Sequence, residues 1–150
     1  MTIERNLPEA MLSLLSADAV LAALVGNRIF PLALPADVAN GAEQIPPSLV
    51  YYQADRTDDQ NLRGRLRPRV RYEFVAIAGR NADAAAITER IAGTYQPGTP
   101  DAVSLLYPGS NFWIGEFRVI ESSLVDQRQR WNQDIAACEW RTQIELKLDL

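Results

Sequence analysis

The chain has 150 residues, a net charge of -4, one cysteine and no histidine. That length can bury roughly 70% of the unfolded surface, so one domain spanning residues 1–150 needs no disulfide or metal staple. The acid excess weighs against a dedicated duplex-DNA binder, and the missing histidine removes the commonest general base and metal ligand.

Leu7 to Val25 has helical spacing, with Asn6 as cap and Pro8 in the first turn, where proline is tolerated. Met11, Leu12, Leu14 and Leu15, then Val20, Leu21, Leu24 and Val25, form its apolar stripe. Ser16-Ala-Asp18 divides it into two helices, the second capped by Ser16 or Asp18, and Gly26 stops it as a left-handed residue. Asn27 to Pro31 reads as a short extended piece and Leu32 to Pro46, with its prolines and glycine, as a loop.

Pro47 to Gln53 and Arg69 to Gly79 are strands, rich in β-branched and aromatic residues. Val70, Tyr72, Phe74, Ala76 and Ala78 share one face of the second strand; Arg71, Glu73, Val75 and Ile77 share the other. That second face turns from polar to apolar, so its cover is expected to increase toward Gly79. Between the strands, Ala54 to Pro68 is far longer and more charged than a hairpin turn requires. It is expected to form a protruding arm.

A helix follows from Asn81, its N-cap, with Ala84, Ile87, Ile91 and Tyr95 facing the sheet and Pro97-Gly98 at its end. Val103 to Tyr107 reads as a short strand, and Phe112 to Glu121 as another with a bulge at Gly115. Leu124 to Gln133 is a polar connection holding Trp131. Ile135 to Leu148 is a closing strand: Cys138, Trp140, Thr142, Ile144, Leu146 and Leu148 alternate with the wet set Glu139, Arg141, Gln143, Glu145 and Lys147. The expected fold class is α+β, a mostly antiparallel sheet with helices on one face and the hairpin arm beyond it.

No spacing marks a reactive centre. Serine or cysteine paired with histidine is excluded, and no glycine-rich phosphate loop or zinc spacing occurs. Asp55, Asp58 and Asp59 lack calcium-loop spacing. The expectation is therefore no catalytic residue, no metal and no cofactor. No run approaches the roughly 20 apolar residues of a membrane span, and the polar start is unlike a signal peptide, so a soluble protein of the bacterial cytoplasm is expected, with no membrane partner.

The anomaly is the arm. Arg56, Arg63, Arg65, Arg67, Arg69 and Arg71 outnumber Asp55, Asp58 and Asp59 in a chain of opposite overall sign. Contact with acidic groups of another protein is the first reading, a solvated loop the second, nucleic-acid phosphates the third. Arg128, Arg130 and Trp131 are a second interface candidate, the tryptophan being either an anchor or tucked back on the domain.

Leu21-Ala-Ala-Leu-Val-Gly-Asn-Arg-Ile-Phe-Pro31 resembles the opening of the tail-completion family of tailed phages, the tail terminators or tail-to-head joining proteins. Pro46-Pro-Ser-Leu-Val-Tyr-Tyr52, the strand from Val70 to Ile77 and the alanine-rich helix from Asn81 continue the likeness, which runs from about Leu7 to Tyr95. The resemblance implies a hexameric ring on the head-proximal end of a siphophage-type tail, in a virion or gene transfer agent assembled in the host cytoplasm. The implied partners are other copies of the chain, the major tail tube protein and the head completion or connector protein. DNA would transit the lumen without specific binding. A stopper-type head-completion protein of the neck is the neighbouring alternative; a small nucleic-acid-binding module is a more distant one.

Overall fold

The computed structural model describes residues 3–40, 44–60, 64, 66–93, 104–109 and 111–150. In chain order these form α1 (Ile3–Ala17), α2 (Ala19–Val25), β1 (Ile29–Pro31), α3 (Ala36–Asn40), β2 (Ser48–Gln60), β3 (Leu66–Ala78), α4 (Asn81–Ala92), β4 (Phe112–Ile114), β5 (Phe117–Asn132) and β6 (Ala137–Asp149). The strands make one sheet in the order β1-β2-β3-β6-β5-β4, antiparallel except between β1 and β2. The fold is α+β, as expected.

The even-numbered side chains of β3 from Val70 to Ala78 all enter the larger core. They meet Leu7, Met11 and Leu15 of α1, Leu21 and Val25 of α2, and Ala84, Ile87 and Ile91 of α4. The alternation read from the sequence thus fixes which face the longer helices cover. The opposite face has a smaller core of Ile45, Val50, Val75, Ile77 and Ala137, with Phe30, Leu34, Tyr52 and Ile135 against it. Its cover increases toward Gly79, as the polar-to-apolar gradient requires. It also corrects the placing of helices on one face alone: Ala39 of α3 lines a cavity there with Val50, Val75 and Ile77. The step Arg28-Ile-Phe serves both cores. Ile29 joins the larger and Phe30 the smaller, while Arg28 Nε donates to the Pro47 carbonyl at 2.8 Å.

Asp18 caps α2, its carboxylate accepting from the Leu21 N–H at 2.9 Å. The same carboxylate accepts from Arg90 Nε at 2.9 Å and Nη2 at 2.6 Å, tying α2 to α4. Those charged hydrogen bonds hold the Asp18 carboxyl below its ordinary range and raise the Arg90 guanidinium.

Several boundaries differ from the sequence reading. α1 begins at Ile3, so Pro8 lies inside it and Asn6 is not the cap. Core burial of Ile3 and Leu7 outweighs one missing backbone bond. Gly26 has the expected positive φ of 61°, but its ψ of -124° is not left-handed helical. Arg80, not Asn81, is the N-cap of α4, and the helix ends before Gly93, short of Pro97. Asn81 instead points its side chain at the sheet: Oδ1 accepts from Gln129 Nε2 at 2.6 Å and Trp140 Nε1 at 2.8 Å. Tyr95, Pro97 and Gly98 lie outside the described residues.

Residues 104–107, read as strand, are bends and loop, held by backbone bonds from Leu105 and Leu106 to the end of α4. Phe112 to Glu121 is two strands, because Gly115 (φ 59°) is a turn between Ile114 and Phe117 rather than a bulge. A Cβ there would lie 2.8 Å from the Ala10 Cβ, so glycine lets α1 approach. The polar connection holding Trp131 is the second half of β5, whose pairing with β6 overrides its polar composition.

Candidate interface on the charged face of the sheet

The arm is largely sheet. The β2–β3 ladder continues to Gln60↔Leu66, and β3 pairs with β6 out to Arg69↔Lys147. Polar residues are strand here because β2 and β3 pair with each other along the arm, side chain opposite side chain. Arg63 and Arg65 lie outside the described residues, as does the Asp59 side chain.

Odd numbering puts Arg67, Arg69, Arg71 and Glu73 on the face opposite the larger core. Register then builds rows of charge across the sheet. Arg71 lies between Asp55 of β2 and Glu145 of β6, and Arg69 between Thr57 and Lys147. Arg71 Nε reaches Glu145 Oε2 at 3.0 Å, Arg69 Nη1 reaches Oε1 at 3.5 Å, and Arg67 Nε lies 3.8 Å from Asp149 Oδ1. Of the arginines that stand out in the sequence, Arg67, Arg69 and Arg71 therefore pair within their own sheet. Arg56 and Asp58 sit over the rim of the helix-covered face, opposite Val70 and Pro68, and pair at 2.7 Å.

The second cluster lies toward the far end of the same face. Arg130 donates to Glu139 at 3.0 Å, and Arg128 pairs with Asp126 at 2.8 Å. Trp131 is on the other face, opposite Cys138 and half-exposed. The expected wet face of β6 is only partly wet. Glu73 and Glu139 are buried, and Arg141 bridges them at 3.7 and 3.5 Å. Asn132 Nδ2 gives Glu139 a further bond at 2.9 Å. Leu32, Leu34 and Ala39 line a cavity together with Glu139 and Arg141, a cover on this face that alternation alone does not show. Sequence could show that Glu73, Glu139 and Arg141 alternate with apolar residues, but only register brings them together.

Two hollows border this cluster. A cavity of about 400 Å³ is lined by Leu34, Tyr52, Val75, Ile77, Glu139 and Arg141 among others. A groove of about 390 Å³ is lined by Arg128, Gln129, Arg130 and Arg141. Among the described residues no group of three or more acidic or cysteine side chains could hold a metal ion. The arrangement is chemically a surface of exchangeable ion pairs, suited to binding through charge.

No protein-family model matches the chain, and no curated protein does. The fold, however, has a solved counterpart. It matches a chain in the virion of a native gene transfer agent particle, with a TM-score of 0.64. The likeness covers 97% of this chain and 99% of that one at 15% identity. At that identity the shared property is the fold, from end to end.

Proposed function

We propose that the chain is a structural virion protein, a ring-forming subunit that caps the head-proximal end of a phage-like tail and joins it to the head connector. The observation that carries this reading is the end-to-end fold match to a chain of a gene transfer agent virion. The resemblance of Leu21 to Pro31 and of the following strands to tail-completion proteins supports the station within the particle. The charged face fits assembly by surface complementarity, with the tail tube and connector proteins as neighbours and no role for catalysis. A chain of net charge -4 lining part of a lumen would let DNA slide, since a basic wall would hold phosphates.

Electron microscopy of particles assembled without this chain tests the reading. Tails of uncontrolled length, unattached to heads, are expected. Normal tails joined to filled heads overturn the virion role. Normal tails beside leaking heads move the station to head closure.

A further inference from the structure

The sheet has two open stretches of edge, at diagonally opposite corners. On the β2 side, β1 pairs only with Leu49 to Tyr51, leaving β2 uncovered by any described strand from Tyr52 onward. On the β5 side, β4 pairs only with Phe117 to Val119, leaving β5 likewise uncovered toward Asn132. The register aligns Leu49 with Ala76, Trp140 and Gln129, so the covered end of β2 lies level with the open end of β5. Open edges of this length are templates for another strand.

We propose that these edges are the two halves of one contact between successive copies of this chain. The Gln53–Asp58 stretch of one copy lies antiparallel along the Leu124–Asn132 stretch of the next and continues the sheet. The inference deepens the proposed ring and rests on reading the chain as a self-assembling subunit. Three features select a second copy as the occupant.

Direction is the first: β2 and β5 run oppositely in the sheet, so a copy displaced sideways presents them antiparallel. Charge is the second. On the charged face the β2 edge exposes Asp55, while the β5 edge exposes Arg128 and Arg130 around its groove. The third is that each edge carries a bulge, at Gln53/Asp55 and Leu124/Asp126, and the β5 bulge exposes the β-branched Val125. Bulges twist an edge and keep it from pairing with arbitrary strands. On β2 the Arg56 N–H is meanwhile held by the Asp55 carboxylate at 2.8 Å, a local bond that an incoming strand would replace. The contact is heterologous, using a different surface on each copy, and so generates rings or filaments rather than closed dimers. The diagonal offset makes each copy step along the strand direction, as tilted strands do around a barrel.

Sedimentation velocity on the purified chain tests the contact. One variant makes the β5 edge acidic (Val125→Glu with Arg128→Glu); the other makes the β2 edge basic (Asp55→Lys with Thr57→Lys, both on the charged face). Wild type is expected to associate with rising concentration, each variant alone to sediment as monomer, and an equal mixture to re-associate. Self-association of either variant alone would show an isologous contact and overturn the proposal, as would a mixture that stays monomeric. Should a double variant lose its folded circular dichroism spectrum, Arg128→Gln and Asp55→Asn are each expected to weaken wild-type association several-fold, and unchanged association overturns the contact. Wild type that stays monomeric at its highest soluble concentration also overturns it, while the virion role remains to be decided by the particle experiment.

Discussion

β3 belongs to two surfaces of different chemistry. Its even-numbered residues from Val70 to Ala78 are closed in by the longer helices. Its odd-numbered residues begin with ion-paired arginines and end with Val75 and Ile77 in the smaller core. The first surface gains its stability from area removed from water, which is specific to shape and hard to rearrange. The ionic stretch of the second gains little, because its charges keep solvent and exchange partners at small cost. One face therefore specifies the fold, and the other is available for recognition.

The largest test of that division is Phe74→Ala. Phe74 is 2% exposed and packs beside Tyr72 with ring centroids 6.1 Å apart. Its loss should cost about 3–5 kcal/mol, read as a lower denaturant midpoint. A cost under about 1 kcal/mol would mean the helix-covered face is not the stabilising one. The border between the two chemistries is Arg141. Arg141→Ala leaves Glu73 and Glu139 buried with a partner gone. Breaking buried pairs costs about 3–5 kcal/mol, and the 31% exposure of Arg141 reduces the expectation to about 2 kcal/mol.

Asp18 gives a smaller effect with a defined pH signature. Asp18→Ala removes the α2 cap and should cost about 1 kcal/mol or slightly more. Its folded pKa lies below the unfolded value, through the Arg90 hydrogen bonds chiefly. The ionic contribution is thus full above the unfolded value near ~3.9 and disappears as pH falls through it toward the lowered folded value. Asp18→Asn keeps a capping side chain but loses the charge. It should flatten the stability profile below about pH 4 relative to wild type. Identical acid profiles would show that the Asp18–Arg90 pair contributes nothing.

What was legible in the sequence followed from periodicity. The faces of β3, the apolar set of β6 and the gradient toward Gly79 all come from a repeat of two, which depends on local geometry alone. Gly115 and the second half of β5 were misread because their states are set by distant partners: α1 at Gly115, β6 along Leu124 to Asn132. Asn81 looked like a cap because its local role is common, whereas Gln129 and Trp140 claim its side chain from the sheet. The arginine-rich arm was visible as a charge anomaly. Its pairing with Glu145 and Asp149 was not, since those residues lie more than 70 positions away in sequence and only the β3–β6 register aligns them. The same holds for the buried Glu73–Arg141–Glu139 cluster.

The smallest expected change in stability is the one that bears most on function. Arg69 and Arg71 share Glu145, and both are 43% exposed. Exposed pairs of this kind contribute about 0–1 kcal/mol each. Arg69→Ala with Arg71→Ala should therefore shift the denaturant midpoint little, and less at high salt, where screening already weakens the pairs. A loss matching that of Phe74→Ala would show that the ionic lattice holds the fold together, leaving no surplus charge for a partner. If instead the variant folds normally but fails to enter particles, the arginines serve contact between chains, and their internal pairs are a resting arrangement that assembly exchanges. If it both folds and assembles normally, the charge on this end of the sheet is solvated surface, and the interface has to be sought nearer Arg128 and Arg130.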